Sequence, residues 1–136
     1  MCKIFVGADP QGYAARTRSV RLHGVVTSIR LENLFWTVLE EIAARDGMSV
    51  VQLIERLYDE LARERGEVGN FASFLRVSAL RYQALIAQQR IPGALAVPIR
   101  SLDADAVLHG FVLDAPRRGR AENAAARAPL KLLTAP

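Results

Sequence analysis

The stretch from residue 25 to residue 50 constrains the fold most, because it predicts one short strand, a helix, a tight turn and the start of a second helix. Apolar and polar residues alternate between residues 25 and 31, which is the period of a strand with one buried face. A single strand followed by helices leaves its backbone N–H and C=O groups unpaired. We therefore expect an intertwined homodimer, in which one short strand per chain pairs with its copy in a two-stranded antiparallel ribbon.

Three helices are predicted after this strand, which makes the fold mainly α. Their apolar residues recur at spacings of three and four, which places them on one face of each helix. Their ends are marked by capping residues and by glycines that accept the left-handed conformation. The expected limits are Glu32 or Asn33 to Arg45, Ser49 to Gly66, and Asn70 to about Gln89.

The segments on either side of this region are less regular. Residues 1–8 fit a short strand, and residues 19–23 fit either a strand or an arm. The alternation changes phase at Gly24, which indicates a bulge or a break in a strand. Residues 91–136 are rich in Pro, Ala and Arg and are expected to form a largely flexible tail, with only residues 106–113 apolar enough to order. The predicted organisation is an N-terminal segment with a basic arm at 1–18, a folded domain at 19–90 and the tail at 91–136.

The charge is distributed unevenly along the chain, whose net charge is +4. Residues 1–30 carry five basic residues and one acid, whereas residues 31–67 carry nine acids and four arginines. Residues 68–136 carry nine basic residues and four acids. The positive charge therefore accompanies the predicted strand and the tail, which is typical of a protein that binds an anionic polymer. The alternative is a protein that is basic for reasons of composition alone.

Several classes of function find little support. Cys2 is the single cysteine, and with only His23 and His109 besides it neither a metal site nor a redox function is expected. Gly-rich phosphate loops and nucleophile triads are absent from the sequence, so we expect no enzymatic activity and no cofactor. No apolar run is long enough to cross a membrane, and the N-terminal apolar stretch is too short for a secretory signal. We expect a cytoplasmic, nucleoid-associated protein.

Residues 25–57 resemble the ribbon-helix-helix family of DNA-binding proteins, which includes small repressors and many antitoxins. The resemblance rests on the strand Val-Thr-Ser-Ile-Arg-Leu, the helix after it, and the turn Gly47-Met48-Ser49. The longer stretch from Ser19 to Tyr82 is similar to a proteobacterial subfamily with an extra C-terminal helix. This similarity lies in the words Ser-Val-Arg-Leu-His-Gly, Thr-Ser-Ile-Arg-Leu-Glu and Gly-Asn-Phe-x-Ser-Phe-Leu-Arg-Val.

The resemblance implies a role for each residue of the strand. In the family, outward-facing strand residues read base edges in the DNA major groove, and here those positions hold Val26, Ser28 and Arg30. Arg30 can form a bidentate hydrogen-bonded pair with guanine, and Ser28 can donate or accept a hydrogen bond. Val26 can pack on a thymine methyl group. Many relatives carry a polar residue at the position of Val26, which points to lower sequence specificity. The opposite face is expected to form the dimer core, from Val25, Thr27, Ile29, Leu31 and Phe35.

Contacts with the DNA phosphates are expected from two further places. The N-terminus of the second helix, at Ser49 and Val50, offers free N–H groups to an anion. The N-terminal arginines would act as an arm along the DNA backbone: Arg16, Arg18 and Arg21. The simpler alternatives are a plain helix cap at Ser49 and, for Arg30, a solvated residue paired with Glu32. Trp36 fits either the dimer interface or an ordinary core.

Two hypotheses for function follow. The first is a sequence-specific transcriptional regulator that binds double-stranded DNA as a homodimer through the ribbon. The second is a protein-interaction module or antitoxin that uses the same dimer as a scaffold. In that case the third helix or the tail, above all residues 106–113, would bind the protein partner.

Overall fold

The computed structural model describes residues 1–113, which form a two-stranded ribbon packed on helices through one of its faces. Two short helices come first, followed by the two strands, three long helices, a single 3₁₀ turn at Ile99–Ser101 and a last short helix. In chain order the elements are α1 (Cys2–Val6), α2 (Pro10–Tyr13), β1 (Ala15–Leu22), β2 (Val25–Glu32), α3 (Asn33–Arg45), α4 (Val50–Arg65), α5 (Phe71–Ala87) and α6 (Ala104–Leu108).

A tight turn joins the two strands into a hairpin. β1 and β2 are antiparallel, and their register runs from the pair Leu22 and Val25 at the turn to the pair Ala15 and Glu32 at the base. The two residues between the strands, His23 and Gly24, have φ angles of 50° and 81°. Two consecutive positive φ angles define a type I′ turn, whose twist matches the right-handed twist of the strands. The hairpin is therefore closed by local geometry.

The mainly helical fold with a two-stranded antiparallel ribbon is as expected, but the origin of the second strand is a correction. β1 belongs to the same chain, so each chain contributes two strands and β2 has a partner without a second copy. A two-residue turn pairs even-numbered residues of β1 with odd-numbered residues of β2. The phase change at Gly24 thus marks this turn and is neither a bulge nor a break.

The inner face of the ribbon packs on the three long helices. Val20, Ile29 and Leu31 are buried there. The core residues that meet them from the helices are Trp36, Leu39, Ala43, Val50, Leu53, Ile54, Phe71, Leu75 and Ala79. The Trp36 indole N–H donates to the backbone carbonyl of Arg16 at 2.9 Å, which ties α3 to β1. Trp36 is accordingly a core residue of the single chain.

The ends of the long helices follow the sequence. The Ser49 hydroxyl accepts from the Gln52 amide at 3.2 Å, and the Gln52 side chain accepts from the Ser49 amide at 2.9 Å, which together form a capping box. Asn70 caps α5, since its side-chain Oδ1 accepts a hydrogen bond from the Ser73 amide at 3.1 Å. Gly66 ends α4 with a φ of 81°, a left-handed conformation that glycine adopts without strain.

Residues 91–113 pack against the folded domain, which corrects the expected start of the flexible tail. Ile91 is buried with Tyr82 and Leu85, and Val107 and Phe111 pack on this cluster. The reason is Arg45, a buried residue on α3 whose guanidinium donates to the carbonyls of Ala94 (3.1 Å) and Val97 (3.0 Å) and to the Tyr82 hydroxyl (3.1 Å). The remainder of the expected tail, residues 114–136, lies outside the described residues.

The first eight residues also differ from expectation, since residues 2–6 are helical and not a strand. A strand there would need a sheet edge to pair its backbone, whereas a helical turn forms part of its own hydrogen bonds, such as that from the Ile4 amide to the Met1 carbonyl at 3.1 Å. None of the residues of α1 is buried. Within residues 1–113, the helices are all too short or too polar to cross a lipid bilayer.

We expect Arg45→Met to lower the free energy of unfolding by about 3 kcal/mol, because the Tyr82 hydroxyl and two carbonyl groups lose their donor. Urea denaturation followed by circular dichroism measures the change. Arg56→Met, at an exposed position of α4, is the control and should change stability by less than about 0.5 kcal/mol. Equal stability of the two variants would contradict a structural role for the Arg45 hydrogen bonds.

Tyr82 makes the free energy of unfolding depend on pH in the alkaline range. Burial raises the pKa of its hydroxyl above the ordinary value of 10.0, and the hydrogen bond it donates to Glu41 at 2.6 Å raises this pKa further. The folded state therefore favours neutral Tyr82, and its contribution is fully present below pH 10.0 and lost as the pH rises through the folded pKa. Unfolding curves between pH 8 and pH 12 should show a steeper alkaline loss for the wild type than for Tyr82→Phe. Equal alkaline slopes for the two proteins would contradict a contribution of the Tyr82 hydroxyl.

Candidate nucleic-acid interface

The outer face of the ribbon is a polar surface built from both strands. Side chains alternate between the faces of a strand, and residues directly opposite one another share a face. The register therefore places three cross-strand pairs on the outer face, all of them exposed: Thr17 with Arg30, Ser19 with Ser28, and Arg21 with Val26. We refer to these six residues as the ribbon face.

The ribbon face has the size and the chemistry of a DNA-reading element. Its two strands lie about 4.8 Å apart, and the major groove of B-DNA is about 12 Å wide, so a two-stranded ribbon fits inside it. Its arginines, hydroxyl groups and valine supply fork-shaped donors, small donors or acceptors and an apolar contact. These are the groups that recognise base edges in the major groove.

The three base readers expected from the sequence, Val26, Ser28 and Arg30, all lie on the ribbon face. Thr17 and Ser19 lie there too and were missed by the sequence prediction. The signal that identifies them is the phase change at Gly24, once it is interpreted as a two-residue turn. That any of these residues contacts a base stays a prediction.

The guanidinium of Arg30 is available for a ligand. Glu32, the alternative partner, binds Arg76 instead, with Nε of Arg76 2.8 Å from Oε1 of Glu32. This hydrogen bond holds the pKa of the Glu32 carboxyl below its usual value. Arg76 also donates to the backbone carbonyl of Arg30 at 3.3 Å, which fixes the strand and leaves the Arg30 side chain unused. Among the described residues, the Arg30 guanidinium has no hydrogen-bond or ion-pair partner.

The three N-terminal arginines, Arg16, Arg18 and Arg21, lie in strand β1, so the expected arm is wrong. Their side chains lie on different faces of the ribbon. Arg18 lies over the Trp36 ring at 5.0 Å and forms an ion pair of 2.7 Å with Glu40, which Arg16 approaches to 3.9 Å. Arg21 is on the ribbon face, where its Nη1 donates to the carbonyl of Gly24 at 3.0 Å. Arg16 and Arg18 are thus partly neutralised by α3, and only Arg21 of the three joins Arg30.

The N-terminus of α4 retains part of its expected anion-binding capacity. The capping box occupies the Ser49 hydroxyl and the Ser49 amide, and the Val50 side chain is buried. The amides of Val50 and Val51, in the first turn, have no acceptor within the helix. The carboxylate of Asp46 lies near this helix end and opposes an anion, although it accepts a hydrogen bond from the Arg100 amide at 3.2 Å. A phosphate contact here stays a prediction.

The residues expected in a dimer core divide into two groups. Ile29 and Leu31 are 4% and 0% exposed within the single chain, because its own helices cover them. Thr27 and Phe35 are partly buried, and Val25 is 64% exposed. The packing that was expected between two copies is therefore largely completed inside one chain.

The hairpin tip is anchored to α4 by His23. Its Nε2 lies 2.7 Å from Oδ1 of Asp59, and its ring meets the edge of Tyr58 with 5.1 Å between the ring centroids. His23 therefore has a structural role at the turn. Within residues 1–113, no three His, Cys, Asp or Glu residues are grouped so that they could hold a metal ion.

Comparison with known proteins agrees with this geometry. The family model of the ribbon-helix-helix domain matches residues 15–83, from the first residue of β1 into α5. The chain therefore belongs to the ribbon-helix-helix family, whose domains are generally DNA-binding. It is similar to the solved structure of an uncharacterized protein from Bordetella pertussis Tohama I, with 65% identity and a TM-score of 0.82 over 84% of this chain and 91% of that chain. A search of curated proteins finds no match.

The assignment of the two faces of β2 is tested by placing a charge on each. Ile29→Asp should abolish folding, because it puts a carboxylate into the core without a partner. Ser28→Asp, at the next position but on the ribbon face, should fold with nearly wild-type stability. Circular dichroism and thermal unfolding compare the two variants. A folded Ile29→Asp protein would show that the faces are assigned the wrong way round.

Proposed function

We propose that this protein is a sequence-specific DNA-binding transcriptional regulator, which inserts its ribbon into the major groove and acts as a homodimer. The observation that carries the proposal is the exposed Arg30 guanidinium on a two-stranded ribbon face of groove-compatible width. Membership of the ribbon-helix-helix family supports it. The function is non-catalytic, and it places the protein with the chromosome in the cytoplasm.

Each residue of β2 on the ribbon face has a role in this proposal. Arg30 donates two parallel hydrogen bonds to O6 and N7 of a guanine. Ser28 donates to or accepts from a neighbouring base, and Val26, 60% exposed, packs on a thymine methyl group. An exposed valine is costly in water, and contact with a methyl group removes part of that cost.

The charge distribution orients the ribbon towards DNA. The ribbon face carries Arg21 and Arg30 and no acid, whereas α4 carries four acids against three arginines. Phosphates therefore attract the ribbon face more strongly than they attract α4, so the hairpin approaches the duplex first. In this orientation the amides of Val50 and Val51 are proposed to bind a phosphate and to fix the register without reading sequence.

The homodimer in this proposal does not depend on shared strands. Ile29 and Leu31 are covered by their own chain, so these two side chains do not form the contact with a second copy. Val77 and Leu80, one turn apart on α5, are 51% and 56% exposed and form an apolar strip. We propose that the second copy covers this strip.

One argument for the alternative, a protein-interaction module or antitoxin, is weakened by the structure. Residues 106–113 were its candidate docking segment, but Phe111 lies under the guanidinium groups of Arg81 (5.0 Å) and Arg90 (5.9 Å). Arg90 also donates to the backbone carbonyl of Val107 at 3.0 Å. This segment is engaged within the chain, which favours the regulator.

Arg30→Ala should weaken binding to the preferred duplex by about 1–3 kcal/mol, because a bidentate contact with guanine is lost. Fluorescence anisotropy with DNA selected from a random pool measures the affinity. Arg16→Ala, which removes the same charge from the helix side of β1, is the control and should cost less. Light scattering should give both variants the wild-type mass. Equal losses for the two variants would show that Arg30 acts only through its charge.

A further inference from the structure

An open apolar groove lies between the C-terminal half of α4 and the first turn of α5. Its volume is about 440 Å³. Three apolar and three charged residues line it, and we refer to them as the α4–α5 groove: Leu57, Leu61, Phe74, Glu60, Glu64 and Arg65. The apolar side chains pack on the core with one side and are only partly buried, so they leave an apolar surface open to an occupant.

The charges at the rim of this groove indicate what kind of occupant it suits. Glu60 and Glu64 are exposed and lie one helical turn apart on α4. Neither forms a hydrogen bond or an ion pair with another residue of the described chain. Arg65 adds one positive charge, which leaves the rim net negative. The groove therefore suits an apolar segment that carries a positive charge.

The chain contains such a segment beyond its described residues. Within residues 114–136, the only large apolar residues are three leucines, and they surround one lysine in the order Leu130, Lys131, Leu132 and Leu133. We propose that residues 130–133 bind in the α4–α5 groove of their own chain. The leucines cover the apolar floor, and the ammonium group of Lys131 lies near the carboxylates of Glu60 and Glu64.

The connecting chain is long enough to reach the groove. The Phe111 ring lies 5.0 Å from the guanidinium of Arg81, which brings the described chain to α5 shortly before residue 113. Along α5, Arg81 is seven residues from Phe74, or about 10 Å. Residues 114–129 span roughly 50 Å when extended. The connection therefore has several times the length that it needs.

The tether favours the same chain over a second copy as the source of the segment. Stable interfaces between separate chains bury about 1,600 Å² in total, far more than one short segment covers. Within one chain, a flexible connection supplies an effective concentration in the millimolar range. An intrinsic Kd of about 0.1 mM is then enough to keep the segment bound about nine-tenths of the time.

The test is limited trypsin digestion of the full chain, in which mass spectrometry measures the initial rates of cleavage after Lys131 and after Arg120. The reference is a synthetic peptide of residues 114–136, which contains both bonds but no groove. Cleavage follows the population of released segment, so binding should lower the ratio of the Lys131 rate to the Arg120 rate about tenfold below that of the peptide. The lowered ratio should not depend on protein concentration.

Variants connect this protection to the groove. Glu60→Gln combined with Glu64→Gln removes the rim charge without touching the core, and should raise the ratio about threefold. Glu55→Gln, which lies on α4 outside the groove, is the matched control and should keep the wild-type ratio. Leu133→Ser, measured against a peptide with the same change, should raise the ratio further because an apolar contact is lost.

Three results would overturn the proposal. The first is a ratio equal to that of the peptide at every protein concentration. The second is protection that appears only as the concentration rises, which would assign the groove to a segment of a second copy. The third is protection that persists in both the rim variant and Leu133→Ser, which would place the segment elsewhere. DNA takes no part in the measurement, so its outcome is independent of the proposed function.

Discussion

The type I′ turn at His23 and Gly24 is the constraint on which the rest of the structure depends. Because it contains two residues, it pairs each residue of β1 with a residue of opposite parity in β2. Val20 and Leu22 then share the inner face with Ile29 and Leu31. A turn longer by one residue would shift the pairing by one position and move one strand's apolar side chains to the outside. The turn thus fixes the core and the ribbon face together.

Some arginines of this protein are bound within the chain, and others are exposed on the ribbon face. Their positions in the sequence do not show to which group each belongs. Arg45 is buried and binds residues 94–97, Arg76 binds Glu32, and Arg18 binds Glu40. Arg21 and Arg30, in contrast, lie on the ribbon face. Within residues 1–30, Arg16 and Arg18 both face Glu40, so the charge count of that segment overstates the positive charge of the ribbon face. In the proposed function, the arginines that matter are those whose guanidinium groups the fold leaves without a carboxylate.

The sequence predicts the local features well. The limits of α3, α4 and α5, the caps at Ser49 and Asn70, and the faces of β2 all follow from spacing and capping chemistry within a few residues. The misses are contacts between distant parts of the chain. Residues 91–113 order because Arg45, about fifty positions earlier, binds their carbonyls, and nothing local in this Pro- and Ala-rich stretch indicates it. Strand β1 is an intermediate case. The phase change at Gly24 indicates it, but the same change fits either an irregularity within one strand or a turn between two strands.

A ribbon completed within one chain also changes how folding relates to assembly. When two copies share a ribbon, neither has a core alone, so folding and dimerisation are one event and stability depends on protein concentration. Here Leu31 and Trp36 are fully buried in the single chain. The core is therefore complete before any second copy binds, and association is free to be weaker than folding.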